Sequence, residues 1–223
     1  MIGNNDETAQ ERKTSWKKNP EAVKENILTI ATEEFAAQGL SGANINEIAK
    51  RTATSKRMIY YYFGDKEGLY QHVLGRVYSS LRNTEQALNV AGLEPVAALR
   101  RLTEATFDSH VSNPHFIRLV MIENIHNAEY IKKSEIIPKL NKAIIDKLTD
   151  VCDRGKASGV LRADADPLEL HWMISSASFY NVSNRATFST SFGDRLFTDE
   201  GQKKLRRRVV DMILSAVVIG YQP

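Results

Sequence analysis

Residues 43–70 read ANINEIAKRTATSKRMIYYYFGDKEGLY, a pattern of two short helices, a tight joint and the opening of a third helix. Asn44 can cap the free N–H groups ahead of Ile45, and Glu47, three residues on, completes a capping-box spacing. Ile45, Ile48 and Ala49 then share one helical face. Thr52-Ala53-Thr54 interrupts the pattern, and Ser55 caps a second helix that reaches about Phe63. Two short helices flanking such a joint predict a helix-turn-helix. At about 100° per residue, Ser55, Ile59, Tyr62 and Phe63 fall on one side of the second helix, Arg57, Tyr60 and Tyr61 on the other, and Lys56 on the flank. An outward face of Arg, Lys and Tyr donates to phosphate oxygens, and Arg57 suits a bidentate contact to a guanine edge. The tyrosines also admit a plainer reading as half-buried packing residues. The residues expected to meet DNA are Asn44, Asn46, Thr54, Ser55, Lys56, Arg57, Tyr60, Tyr61 and Lys66.

Outward from that stretch, the chain keeps the same helical character. Its 223 residues, 42% hydrophobic and 26% charged, suffice for a substantial core. The formal charge of +3 allows a polyanionic partner without demanding one. Residues 1–19 are polar, with Arg12, Lys13, Lys17 and Lys18 around Trp16, and are expected to be a disordered arm; an arm following DNA phosphates is the alternative. Asn19-Pro20 opens a first helix through Val23, Ile27, Ala31 and Phe35 to Gly39. Asp65 caps a longer helix in which Leu69, Val73, Val77 and Leu81 recur every four residues. Glu94-Pro95, Asn113-Pro114 and Asp166-Pro167 are further helix starts. No stretch alternates like a strand, so the expected fold class is all-α with about nine helices. A helix-turn-helix domain over 20–66 is expected to precede a larger domain over 67–223.

Ile48-Ala49, the Thr52-Ala53-Thr54 turn, Ser55-Lys56, Tyr60, Phe63 and Lys66, extended back through Ile27-Leu28, Ala31, Phe35 and Gly39, resemble the DNA-binding head of the tetracycline repressor (TetR) family of bacterial regulators. The likeness spans Glu21 to Leu81. Ala53 departs from the family's usual Gly, Asn44 from Thr, and Arg57 from a small residue. Gly in such a turn serves a positive φ or a close approach, and Ala tolerates the second better. The resemblance implies a transcriptional regulator on a pseudo-palindromic double-stranded DNA operator, with a small-molecule effector releasing repression. It also implies a homodimer through the last two helices, read as 167–187 and 199–220. Leu205, Val209, Met212, Ile213 and Ala216, widened by Val210, Leu214, Val217 and Val218, make the final helix apolar enough to need cover on two sides, which burial in the chain's own core would also supply. The basic run Lys203, Lys204, Arg206, Arg207 and Arg208 reads as a solvated face.

Material for a ligand pocket, which would equally describe an ordinary core, lies between head and interface: Phe107, His110, Phe116, Met121, Glu123, Trp172, Phe179 and Tyr180, with Asn124, Ser175, Ser176 and Asn184 as polar anchors. The segment DPLELHWMISSASFYN distantly resembles the pyrimidine-responsive branch of the family. Glu123 and His126, at i and i+3, are half of a helical metal site, so no metal and no cofactor are expected. Cys152, the one cysteine, excludes an internal disulfide and reads as a packing residue. Without a long apolar run or a signal core the chain reads as cytoplasmic, with no membrane partner. The competing class is a helical small-molecule-binding or enzymatic domain with an incidental helix-turn-helix. Nucleophile elbow, phosphate loop and HExxH motifs are all missing, so an enzyme is not expected.

Overall fold

The computed structural model describes residues 19–223 apart from the side chain of Gln86; the expected N-terminal arm up to residue 18 lies outside the described residues. Among these the chain forms ten α-helices: α1 (Pro20–Gly42), α2 (Ile45–Arg51), α3 (Lys56–Phe63), α4 (Lys66–Gln86), α5 (Pro95–Ser112), α6 (Pro114–Ile125), α7 (Ile136–Ala157), α8 (Pro167–Ser183), α9 (Arg185–Phe192) and α10 (Asp199–Val217). The segment read as one helix over 167–187 is two, because Asn184 leaves helical geometry at φ −102° and ψ 5°. Pairing outside helices is confined, among the described residues, to a β-bridge between Leu161 and Val218. No described helix is long and apolar enough to cross a membrane.

Two compact units divide the chain, Met1–Arg76 and Val77–Pro223, and the division falls inside α4. The first half of α4 therefore packs with the head, beyond the boundary at Lys66 that the sequence suggested. Leu69, Tyr70 and Val73 are fully buried there, and the Tyr70 ring meets Phe35 of α1 edge-on at 5.1 Å. Arg76 secures the same packing by ion-pairing with Glu25.

Helix starts in the head follow local cap chemistry. Asn19 Oδ1 accepts from Ala22 N at 3.1 Å, Ser55 Oγ from Met58 N at 3.2 Å, and Asp65 Oδ1 from Gly68 N at 2.7 Å. Asn44 caps α2 by accepting from Asn46 N, but Glu47 does not complete a capping box. The Asn44 N–H donates instead to Glu34 of α1 at 2.9 Å. A glutamate already fixed on a neighbouring helix has displaced the local partner, and it ties α2 to α1.

At the joint, Thr54 N donates to Ala49 O and Ala53 N to Lys50 O, the bond pair of a Schellman cap that closes α2. Ala53 takes the left-handed φ of +50° that this cap requires. The turn thus keeps the positive φ even though Gly is replaced.

In the second unit, Leu99 and Leu102 of α5, Leu148 and Val151 of α7, Leu170 and Ile174 of α8 and Val210 and Leu214 of α10 make one apolar cluster. Cys152 is buried within it, and burial pushes its thiol up. The wide apolar surface of α10 serves mainly this core. Ile213 is 0% exposed and Val217 is also buried, so neither is free for a partner, whereas Met212 is exposed. On α8, Leu170, Ile174, Ser178 and Asn181 face inward while Leu168, Trp172 and Tyr180 are exposed.

Ala53 generates a direct expectation for stability. A left-handed non-Gly residue costs about 1–2 kcal/mol, and the greater unfolded-chain freedom of Gly offsets about 0.4–1 kcal/mol of that. Ala53→Gly should therefore stabilise the chain by about 0.5–1 kcal/mol, read as a higher urea midpoint at unchanged slope.

Candidate nucleic-acid interface and interior polar site

The α2–α3 pair sets its apolar residues inward, with Ile45, Ile48, Ala49, Ile59 and Phe63 all buried. That leaves Asn44, Asn46, Ser55, Lys56, Arg57 and Tyr61 exposed together along α3 and the start of α2, with Tyr61 at 78%. Lys56 lies over the Tyr60 ring at 5.4 Å, which leaves Tyr60 half-buried. Tyr62 turns inward as expected and receives Lys24 of α1 over its ring at 5.6 Å. Two expected residues differ from the rest. Thr54 buries its hydroxyl in the joint, and Lys66 donates to the Ser41 carbonyl at 3.1 Å. Lys66 thereby helps to close the α1 end and has fewer N–H groups left for a phosphate.

The second unit encloses a polar group of side chains. His110 of α5 is buried and stacks on Phe116 of α6 at 6.1 Å, and Phe116 meets Tyr78 of α4 edge-on at 5.1 Å. Arg82 and Glu85 of α4 form a buried ion pair, and Arg82 Nε also donates to Asn141 at 3.0 Å. Burial, followed by the nearby Arg82 charge, lowers both His110 and His171 to about 4. Burial pushes the Tyr78 phenol up to about 12. Both imidazoles are therefore neutral near pH 7. Glu123, 1% exposed, accepts on Oε2 from the N–H groups of Tyr130 and Ile131 at 3.1 and 3.0 Å. His126 is exposed at the end of the same helix, so the i, i+3 pair does not converge.

The expected ligand residues split into two sets. Phe107, His110, Phe116 and Glu123 are buried in the unit, while Met121, Asn124, Trp172 and Tyr180 are exposed, Trp172 at 70%. Ser176 donates to the Trp172 carbonyl, Phe179 is half-buried, and Asn184 forms the C-cap of α8. Tyr78, Arg82, Thr106, Ser109 and His171 were not anticipated by sequence. A signal existed on α5, where Thr103, Thr106 and His110 repeat at helical spacing among apolar residues. The run Lys203–Arg208 is largely exposed, but Arg206 pairs with Asp108 at 2.7 Å and Glu104 at 3.1 Å.

A capped helix-turn-helix ahead of a separate helical unit with a polar interior is the architecture of a DNA-binding regulator. Comparison with known proteins agrees: residues 27–73 match "Bacterial regulatory proteins, tetR family" and residues 95–213 match "Tetracyclin repressor-like, C-terminal domain". The transcriptional repressor NicS of Pseudomonas putida is 32% identical over 81% of this chain and 86% of its own. The transcriptional regulator RutR of Escherichia coli is 26% identical over 86% and 91%. The crystal structure of SCO4942 from Streptomyces coelicolor superposes with a TM-score of 0.68 over 87% of this chain and 98% of that one, at 25% identity. The chain belongs to the TetR family of bacterial regulators. It is a transcriptional regulator and not an enzyme, which sets the competing class aside, and regulators of this family bind operator DNA and act as dimers with small-molecule effectors.

The neutral interior imidazoles generate a pH dependence. A histidine held at about 4 when folded takes up a proton on unfolding below its ordinary 6.5, so its effect on stability is absent above pH 6.5 and grows as pH falls towards 4. For His110 the 2.5-unit difference amounts to about 3 kcal/mol in full. Urea midpoints at pH 7.5 and 4.5 should fall further apart in the wild type than in His110→Leu, which removes one such uptake.

Proposed function

We propose that this protein is a homodimeric repressor that holds a pseudo-palindromic operator and lets go of it when a small molecule enters the second unit. The observation that carries the DNA reading is the joint exposure of Lys56, Arg57 and Tyr61 on a helix whose other side is packed into the head. Lys56, Tyr61, Ser55, Asn44 and Asn46 hold phosphates, and Arg57 reads a base edge. Lys66 contributes at most alongside its bond to Ser41. The protein acts in the cytoplasm, where its DNA lies.

The outward residues of α8 and α10, Leu168, Trp172, Tyr180 and Met212, support a dimer face. Two heads on a two-fold axis then meet half-sites about 34 Å apart or a multiple of it. The buried polar group around His110, Phe116 and Glu123 is the effector site, in place of the wider set that included Trp172 and Tyr180. Tyr78 and Arg82 of that group stand on α4, the helix that begins in the head, so a ligand acts by biasing α4. Its reach is its differential affinity for the two arrangements, typically about 1–3 kcal/mol.

Gel-shift titration on the chain's own upstream DNA tests the head. Arg57→Ala should lose about 1–3 kcal/mol and relax base preference at one position, whereas Lys56→Ala should weaken all sequences alike and reduce the salt slope by about 1. Specific affinity unchanged in both variants would overturn the assignment. For the dimer, Trp172→Glu should shift the 25.1 kDa chain from dimer to monomer in light scattering while its circular dichroism stays helical. A wild type that is monomeric at micromolar concentration would remove this reading.

A further inference from the structure

The outward face of α3 continues onto α1. Arg57 and Tyr61, at i and i+4, stand one turn apart on the exposed side of α3. The Tyr61 ring meets that of Tyr62 edge-on at 5.3 Å, and the Lys24 ammonium of α1 stands 5.6 Å from the centre of the Tyr62 ring. A lysine of the first helix is thus seated beside the DNA-reading residues, towards the C-terminal end of α3. Its side chain is 38% exposed, and its ion-pair partner at 2.9 Å is Glu21, itself 81% exposed and three residues back on the same helix. A pair so open to solvent is worth little and exchanges readily with other ions. Glu21, followed by Tyr62 and Tyr61, raises the Lys24 pKa, so the group keeps its charge at any pH at which the head is folded and binding is measured.

Holding α1 to the helix pair does not depend on this charge. Buried Phe35 and Ile59 join the head's core, Glu34 accepts from Asn44 N, and Glu33 pairs with Arg51. An ammonium has three donors and no acceptor, and Glu21 takes one of them. A cation with a phenol hydroxyl at its side suits an anionic oxygen, and the polyanion that lies along a groove-reading helix is the DNA backbone. We propose that Lys24 is a DNA-contacting residue: its ammonium, placed by the Tyr62 ring and joined by the Tyr61 hydroxyl, holds a backbone phosphate at the edge of the groove that α3 reads. This rests on the DNA reading above and adds α1 to the interface. The contact carries no base information; it fixes how α3 lies in the groove. Glu21 opposes it, because its carboxylate competes with the phosphate for the same ammonium.

Gel-shift titrations of the full chain over a range of salt concentrations test it, on the chain's own upstream DNA and on an unrelated duplex of equal length. Lys24→Gln and Lys24→Leu, the second keeping an apolar stem against Tyr62, should each reduce the slope of log K against log salt by about 0.9 on both DNAs. Near 0.1 M salt each should weaken binding about five- to tenfold. Lys24→Arg should restore the slope, and Glu21→Gln should tighten binding at least about twofold at low salt. A lysine that only braced α3 through Tyr62 would lower the urea midpoint when replaced and leave the slope on the unrelated duplex as it was. A slope unchanged in a folded Lys24→Gln, or a loss of affinity confined to the upstream DNA, would overturn the inference. A wild type that holds no duplex would remove the DNA reading with it. Arg57→Ala relaxing base preference while Lys24→Gln and Lys24→Leu change nothing would remove this inference alone.

Discussion

The joint between α3 and α4 constrains the rest of the head. The backbone of α4 passes the end of α3 so closely that a Cβ on Gly68 would overlap the Phe63 carbonyl oxygen. Gly64, at φ +81°, turns the chain into that approach, and Asp65 fixes it by accepting from Gly68 N. Phe63 is then held from both sides, buried in the head and met edge-on by His72 of α4 at 5.2 Å. With its inward side fixed in this way, α3 has one face left for solvent. The exposure of Arg57 and Tyr61 is a consequence of packing on the other face, not of their own polarity.

The same reasoning explains what could be read without coordinates. Caps act over two or three residues, so Asn19, Ser55, Asp65 and Asp166 announced their helices in sequence, and all four side chains accept the expected backbone N–H. Glu47 looked equally suited and was displaced by Glu34, ten residues from Asn44 in sequence. No local rule sees such a partner. On α8 and α10 the difficulty is different, because apolar residues surround both helices and periodicity cannot rank one face above another. Trp172 looked like a pocket wall and is exposed; Ile213 looked available to a partner and is core.

The second unit separates its dry and polar interiors along single helices. On α5 the buried side changes from Ala98, Leu99 and Leu102 to Thr106, Ser109 and His110. The early residues join the apolar cluster with α7, α8 and α10, whose burial is worth roughly 25 cal/mol per Å² removed from water. The later ones bring polar atoms and, from α4, the Arg82–Glu85 pair into the same unit. A buried pair of this kind is weak as a source of stability, though removing one partner from it is strongly destabilising. Stability and chemistry are thus supplied by different turns of the same helix.

Glu123 is where those two demands meet. After α6 the chain passes through Asn127 and Ala128 at φ +56° and +58°, a left-handed pair without glycine that costs about 1–2 kcal/mol per residue. Glu123 Oε2 offsets part of that by accepting the N–H groups of Tyr130 and Ile131, which lie just beyond the pair. The other oxygen of the same carboxylate makes no hydrogen bond within the described residues. One side chain therefore holds a strained loop with one atom and presents an unmatched acceptor with the other.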